Sequence, residues 1–172
     1  MPFFNSSGFL APFIGAVGGG LGVGFAAWVS LWLASALHES VWLAAPIGAS
    51  AVLVFAAPAS PFAQPLPVIA GNTVSALVGV AVASLVHDPA LAACLSVGLA
   101  IAVMSFLRCL HPPGGSTALL CTLLHVRDPL FAAFPVLINS VLLVAFALAY
   151  NNLVRRGGYP MAPRPGEVSA PE

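Results

Sequence analysis

The chain has 172 residues, 60% hydrophobic and 6% charged, with five basic and five acidic side chains and no formal net charge. Its mean hydropathy is +1.03. So few charges cannot cover a water-facing surface, and no basic field exists to attract phosphate backbones. The composition excludes an ordinary soluble fold, a disordered chain and a nucleic-acid binder, and leaves a bilayer-embedded protein.

In chain order, residues 1–8 form a leader without the basic stretch of a signal peptide. The first long apolar run is Phe9 to Leu37, with two small-xxx-small pairs, Gly15–Gly19 and Gly20–Gly24, that suit close helix packing in lipid. Trp28, Trp32 and Trp42 bracket His38-Glu39 as an interfacial belt would. Next comes Ala44 to Ala57, which Pro46 opens and Pro58 closes. As a helix it rises only about 21 Å, short of the roughly 30 Å hydrocarbon core, so it reads as a broken or re-entrant span. Pro58, Pro61, Pro65 and Pro67 make the next stretch a stiff loop.

Val68 to Val86 is a full span carrying Asn72, Thr73 and Ser75, and His87-Asp88-Pro89 is a tight turn. Ala90 to Leu107 is the next span, ending at Arg108. Pro112 and Pro113 end one helix and start another, short one, from about Gly114 to Leu124. Leu130 to Tyr150 is the last span, with Pro135 and Asn139 inside it. From Asn151 onward the chain reads as a solvated, disordered cytoplasmic tail. The fold class is therefore an all-α polytopic membrane bundle of four long spans and two short, broken or re-entrant helices. Cys94, Cys109 and Cys121 sit in apolar runs without metal-ligand spacing and read as buried hydrophobes.

The order long, short, long occurs twice, which divides the membrane region 9–150 into halves of about 9–86 and 90–150. Pro46-Ile47-Gly48-Ala49-Ser50 aligns with Pro112-Pro113-Gly114-Gly115-Ser116, and with one residue of slippage Asn72-Thr73 aligns with Asn139-Ser140. Three crossings per half would make this an inverted repeat, an architecture common among secondary transporters. A six-crossing path puts Arg108, Arg155, Arg156 and Arg164 on the cytoplasmic side with both termini; a four-crossing path moves Arg108 outside.

A helix that starts inside a membrane leaves N–H groups needing partners. A small anion can supply them, and Gly48, Gly114 and Gly115 would admit it to the backbone beside Ser50, Ser116 and Thr117. Local capping by the serines, or plain bending and packing, explains the same breaks. Asn72 and Asn139 fit solute contact or helix–helix hydrogen bonding equally. His111 and Arg108 lie one turn apart. His111 can carry a proton with a weak-acid anion or cap a turn, and Arg108 can attract the anion or snorkel to headgroups. The paired-carboxylate, metal and Ser-His-Asp patterns of an enzyme are absent at membrane depth, so the reading calls for no catalytic residue, metal or cofactor.

His111-Pro112-Pro113-Gly114-Gly115-Ser116-Thr117-Ala118-Leu119 resembles the signature of the HPP family of integral membrane proteins. Gly48-Ala49-Ser50-Ala51-Val52-Leu53 and Ser60-Pro61-Phe62-Ala63-Gln64-Pro65 resemble its other two blocks, and the similarity runs from Pro46 to Tyr150. The resemblance implies a four-helix membrane domain and an anion transporter, with nitrite the solute associated with plastid and cyanobacterial members. Where the family pattern has a basic residue and a histidine after Gln-Pro, this chain has Leu66-Pro67-Val68 and Ala70-Gly71-Asn72, which bears on the solute. The expected solute site comprises Gly48, Ser50, Asn72, Arg108, His111, Gly114, Gly115, Ser116, Thr117 and Asn139, with Pro46, Pro112 and Pro113 as the breaks. The expected protein is a homo-oligomer in a bacterial inner membrane that transports a small anion. The rival is a non-transporting module that anchors or senses a partner.

Overall fold

A computed structural model describes residues 10–38, 40–154 and 158–161. Glu39, Arg155, Arg156, Arg164, the leader and most of the tail lie outside them. Among the described residues six main helices follow in order, α1 Leu10–Leu37, α2 Ile47–Ala56, α3 Pro67–Leu85, α4 Pro89–Phe106, α5 Pro112–Leu123 and α6 Ala132–Leu153, with a single 3-10 turn at Pro61–Ala63 between α2 and α3. Among the described residues α1, α3, α4 and α6 are long and apolar enough to span a bilayer. At 1.5 Å per residue α5 rises about 18 Å and α2 less, so neither spans alone. The molecule is a polytopic all-helical membrane bundle, and the four long and two short segments fall where proline punctuation puts them.

Half of the apolar window of α3 and 44% of that of α6 are buried, against 22% for α1 and α4. The central pair is therefore α3 and α6, with α1 and α4 outside. Leu10, Phe13, Trp28, Trp32, Leu85, Phe106 and Leu153 present an apolar outer surface, as a lipid-facing wall requires.

Helix directions follow from the contacts. Tyr150, near the end of α6, donates from its hydroxyl to Ile14 O near the start of α1 at 2.8 Å. Asn139, near the start of α6, donates to Ser30 Oγ at 2.7 Å. So α1 and α6 are antiparallel. Val68 packs with Leu143 and Val144, while Ala76 and Val80 pack with Ala132 and Val136. So α3 and α6 are antiparallel too. His111 lies against Gly71, and Cys121 against Ala76, which sets α5 parallel to α3.

Prolines shape the ends. Pro89 and Pro112 each open a helix at a position whose missing N–H is harmless. Asp88 Oδ1 accepts from Leu91 N at 2.8 Å and caps α4. Pro135 forces Phe134 into an extended conformation (φ −132°, ψ 126°) and breaks the first turns of α6. The backbone is π-helical over Val52–Ala56, Pro67–Gly71 and Ala132–Leu137, next to the buried polar residues of α2, α3 and α6. The last helix continues past Tyr150 to Leu153. Asn151 is buried and donates to Val54 O at 3.2 Å. Tyr159 is also buried, so Asn151 and Tyr159 are anchored in the bundle, while the other described residues after Tyr150 are exposed, as a solvated tail is expected to be.

Candidate functional site

Four helices and one corner bring polar side chains to a single buried point. Ser50 comes from the first turn of α2, Asn72 from α3 just after its π segment, Thr117 from α5 and Ser140 from α6. His111 stands at the N-cap of α5, in the corner after α4. Ser50, His111 and Ser140 are wholly buried, and Thr117 and Asn72 are 1% and 2% exposed.

The hydrogen bonds form an ordered chain. Phe62 O lies 2.8 Å from His111 Nδ1. A carbonyl can only accept, so Nδ1 carries the hydrogen and a neutral imidazole has Nε2 as acceptor. Ser50 Oγ, 2.8 Å from Nε2, donates to it. Asn72 Nδ2 donates to Ser50 Oγ at 3.0 Å and to Ser140 Oγ at 3.3 Å. Thr117 Oγ1 lies 3.0 Å from Asn72 Oδ1 and 3.2 Å from Pro113 O, and shares its one hydrogen between them. Ser50 has a second acceptor in reach, Pro46 O at 3.4 Å. If Nε2 takes a proton, Ser50 can turn its hydrogen to Pro46 O and accept from both Asn72 and His111. The cluster can therefore hold a proton without losing its connections.

Two glycines permit this convergence. A Cβ on Gly71 would lie 2.6 Å from His111 Cβ and 2.7 Å from Cys109 O. One on Gly114 would lie 2.6 Å from Ser75 Oγ and 3.1 Å from Gly71 O. The α3–α5 contact thus closes down to backbone distance only without side chains there. At Gly115 the nearest neighbour is Val97 Cγ1 at 3.8 Å. We predict that Gly114→Ala destabilises the protein by about 1–3 kcal/mol through overpacking, while Gly115→Ala is neutral or stabilising. Thermal unfolding of both variants checks this, and equal melting points would contradict the packing described.

Of the residues expected at the site, the structure gathers Ser50, Asn72, His111 and Thr117, with Pro46 and Pro113 contributing carbonyls and Gly114 packing space. The others lie elsewhere. Ser116 is exposed and Gly115 half-buried on the outer face of α5, as Gly48 is on α2. Pro112 opens α5 and is exposed. Arg108 is exposed, with φ +54°, in the turn closed by Cys109 N donating to Met104 O at 2.9 Å. It terminates α4 as a left-handed C-cap does. Asn139 forms a separate set of bonds. Its Oδ1 accepts from Ala44 N at 3.0 Å, and its Nδ2 donates to Ser30 Oγ and, at 3.3 Å, to Trp42 O. It satisfies the non-helical backbone leading into α2, which membrane depth otherwise makes costly.

Three contributors escape the sequence reading: Gly71, Ser140 and the Phe62 carbonyl. Gly71 adjoins Asn72 and Ser140 adjoins Asn139, so a glycine or hydroxyl beside a buried asparagine is a usable signal. A carbonyl in a proline-rich loop gives none.

The model of the HPP transmembrane region matches residues 6–160. Two proteins of Dictyostelium discoideum, each described as a transmembrane protein, are 40% identical to this chain, over 130 and 120 residues. The alignments cover 72% and 66% of this chain and 42% of each relative, so the chain spans less than half the length of those relatives. No solved structure matches. With its signature blocks lying on α2, on the loop after it and on α5, the chain belongs to the HPP transmembrane region family.

Proposed function

We propose that this protein carries a small inorganic anion, nitrite being the first candidate, across the membrane in which it is embedded. The observation that carries this reading is the buried chain Thr117–Asn72–Ser50–His111 at the centre of an apolar bundle. Ionisable and amide groups at such depth are expensive to keep. A small anion would take the donors of Ser50, Asn72, Thr117 and a protonated His111 in place of their present partners. These side chains, rather than the helix N-termini of the sequence reading, are the proposed ligands, because Pro112 and Pro113 bring no N–H to the start of α5.

An inverted repeat supports an alternating role for the site. One interval relates Pro46 to Pro113, Ser50 to Thr117 and Asn72 to Asn139, with no slippage. Ser50 and Thr117 both reach the carbonyl of the proline four residues back. The antiparallel pairs α1–α6 and α3–α4 are what two halves of opposite orientation would produce. In this reading each short helix and its irregular lead-in make one crossing, so both termini share one side, taken as the cytoplasmic side of a bacterial inner membrane. A homo-oligomer could pack through the groove of about 460 Å³ that Gly15, Gly19, Gly20 and Gly48 line between α1 and α2.

The rival reading, a membrane module acting for a partner, is favoured by the 42% coverage of the longer relatives. Liposomes containing this chain alone separate the two. The transport reading expects saturable nitrite uptake, and the module reading expects none.

A further inference from the structure

The loop between α2 and α3 touches the buried cluster on its inner side and the C-terminal segment on its outer side. It is folded around Gln64, whose Nε2 donates to Pro58 O at 2.9 Å and to Ser60 O at 2.8 Å. Its inner edge is the Phe62 carbonyl on His111 Nδ1. Its outer edge is held by two bonds. The Tyr159 hydroxyl donates to Ala63 O at 2.8 Å, and Met161 N donates to Gln64 Oε1 at 2.9 Å. Tyr159 is in turn fixed to the end of α6, its N–H donating to Asn152 Oδ1 at 2.9 Å. Its ring sits in the core with Val54, Phe55, Val68 and Leu143.

From this geometry we infer that residues 158–161 are a strap that holds the Pro58–Pro67 loop closed over the His111 end of the cluster. The strap and the loop are neighbours in space although Tyr159 and Ala63 are separated by 96 positions. Phe62 and Ala63 are consecutive, so a movement that frees the Ala63 carbonyl from Tyr159 pulls directly on the carbonyl that His111 holds. Opening the loop exposes His111 Nδ1, and keeping the strap docked keeps it covered. Burial pushes the Tyr159 phenol up to about 12, so its hydroxyl remains a donor at neutral pH. The strap is thus the regulatory element of the site whose transport role is proposed above, and its action on the loop does not depend on the solute.

Amide hydrogen exchange on the full chain in lipid nanodiscs tests this. Tyr159→Phe keeps the ring and removes the bond to Ala63. Loss of one such bond is expected to speed exchange in residues 58–67 and 109–113 about fivefold, with residues 89–106 of α4 unchanged. A chain ending after Val154 is a second variant, expected to act in the same direction and more strongly. Unchanged exchange in 58–67 in either folded variant overturns the strap. So does a uniform acceleration that includes 89–106, which would make Tyr159 a general packing residue. Faster exchange of the loop with no anion flux in any variant upholds the strap and defeats the transport reading instead.

Discussion

Asn72→Leu is expected to lower nitrite uptake about a hundredfold, and Asn139→Leu to leave uptake per folded molecule unchanged. Stability is expected to move in the opposite order. Asn72 makes three side-chain bonds across helices. In membranes such bonds are worth about 0.6 kcal/mol each, so its loss costs about 2 kcal/mol. Its larger effect falls on the solute, which loses at least two hydrogen-bonding partners through direct contact and through Ser50. At about 1–1.5 kcal/mol apiece, that gives roughly two powers of ten in rate. Asn139 instead satisfies the backbone N–H of Ala44. A buried N–H left alone costs about 1–3 kcal/mol beyond the side-chain bonds, so Asn139→Leu destabilises by about 2–4 kcal/mol. Uptake normalised to folded protein, with unfolding measured in parallel, reads both. Equal loss of uptake in the two variants would mean that both asparagines serve packing.

The second large effect is on pH dependence. His111 has one nitrogen on a carbonyl and the other on a hydroxyl that has a second acceptor in Pro46 O. A proton arriving at Nε2 is accommodated by rotation of Ser50, and the added positive charge favours an anion. Wild-type uptake is therefore expected to rise as pH falls from 7 to 4, the imidazole being the group of the cluster that can change charge there. In His111→Gln the amide can still accept from Ser50 but cannot titrate, and uptake is expected to vary by less than about twofold over that range. A His111→Gln profile that still follows the wild type removes His111 from any proton role.

Much of the architecture was legible in the sequence because lipid imposes length and composition together. Four apolar runs of spanning length and two short ones between prolines read directly as helices, and the Asp88-Pro89 turn lies where expected, while the helix expected from about Gly114 starts at Pro112. Ser50, Asn72, His111 and Thr117 of the buried cluster were legible as polar residues near the breaks, but the face they share was not. The reason lies in Pro112-Pro113. Aligning Pro46 with Pro112 pairs Ser50 with Ser116, whereas aligning it with Pro113 pairs Ser50 with Thr117. One residue on a helix is a rotation of 100°, enough to move the matched hydroxyl from the exposed face to the buried cluster. Arg108 looked like a ligand because it lies one turn from His111 along the chain. Arg108 itself is left-handed and exposed at the end of α4, whereas His111 is buried. The Phe62 carbonyl and Tyr159 were not legible at all, since a loop backbone and a tail residue distant in sequence meet only through the tertiary fold.

The central claim is that this chain alone moves a small anion through the Thr117–Asn72–Ser50–His111 cluster. The most direct test is nitrite-dependent flux in proteoliposomes containing the purified protein, with chloride, nitrate and formate as competitors and Asn72→Leu as the control. The account predicts saturable nitrite flux in the wild type that is lost in the control. An absence of flux with every anion, from protein shown to be folded and inserted, would contradict it and leave the partner-dependent module as the function.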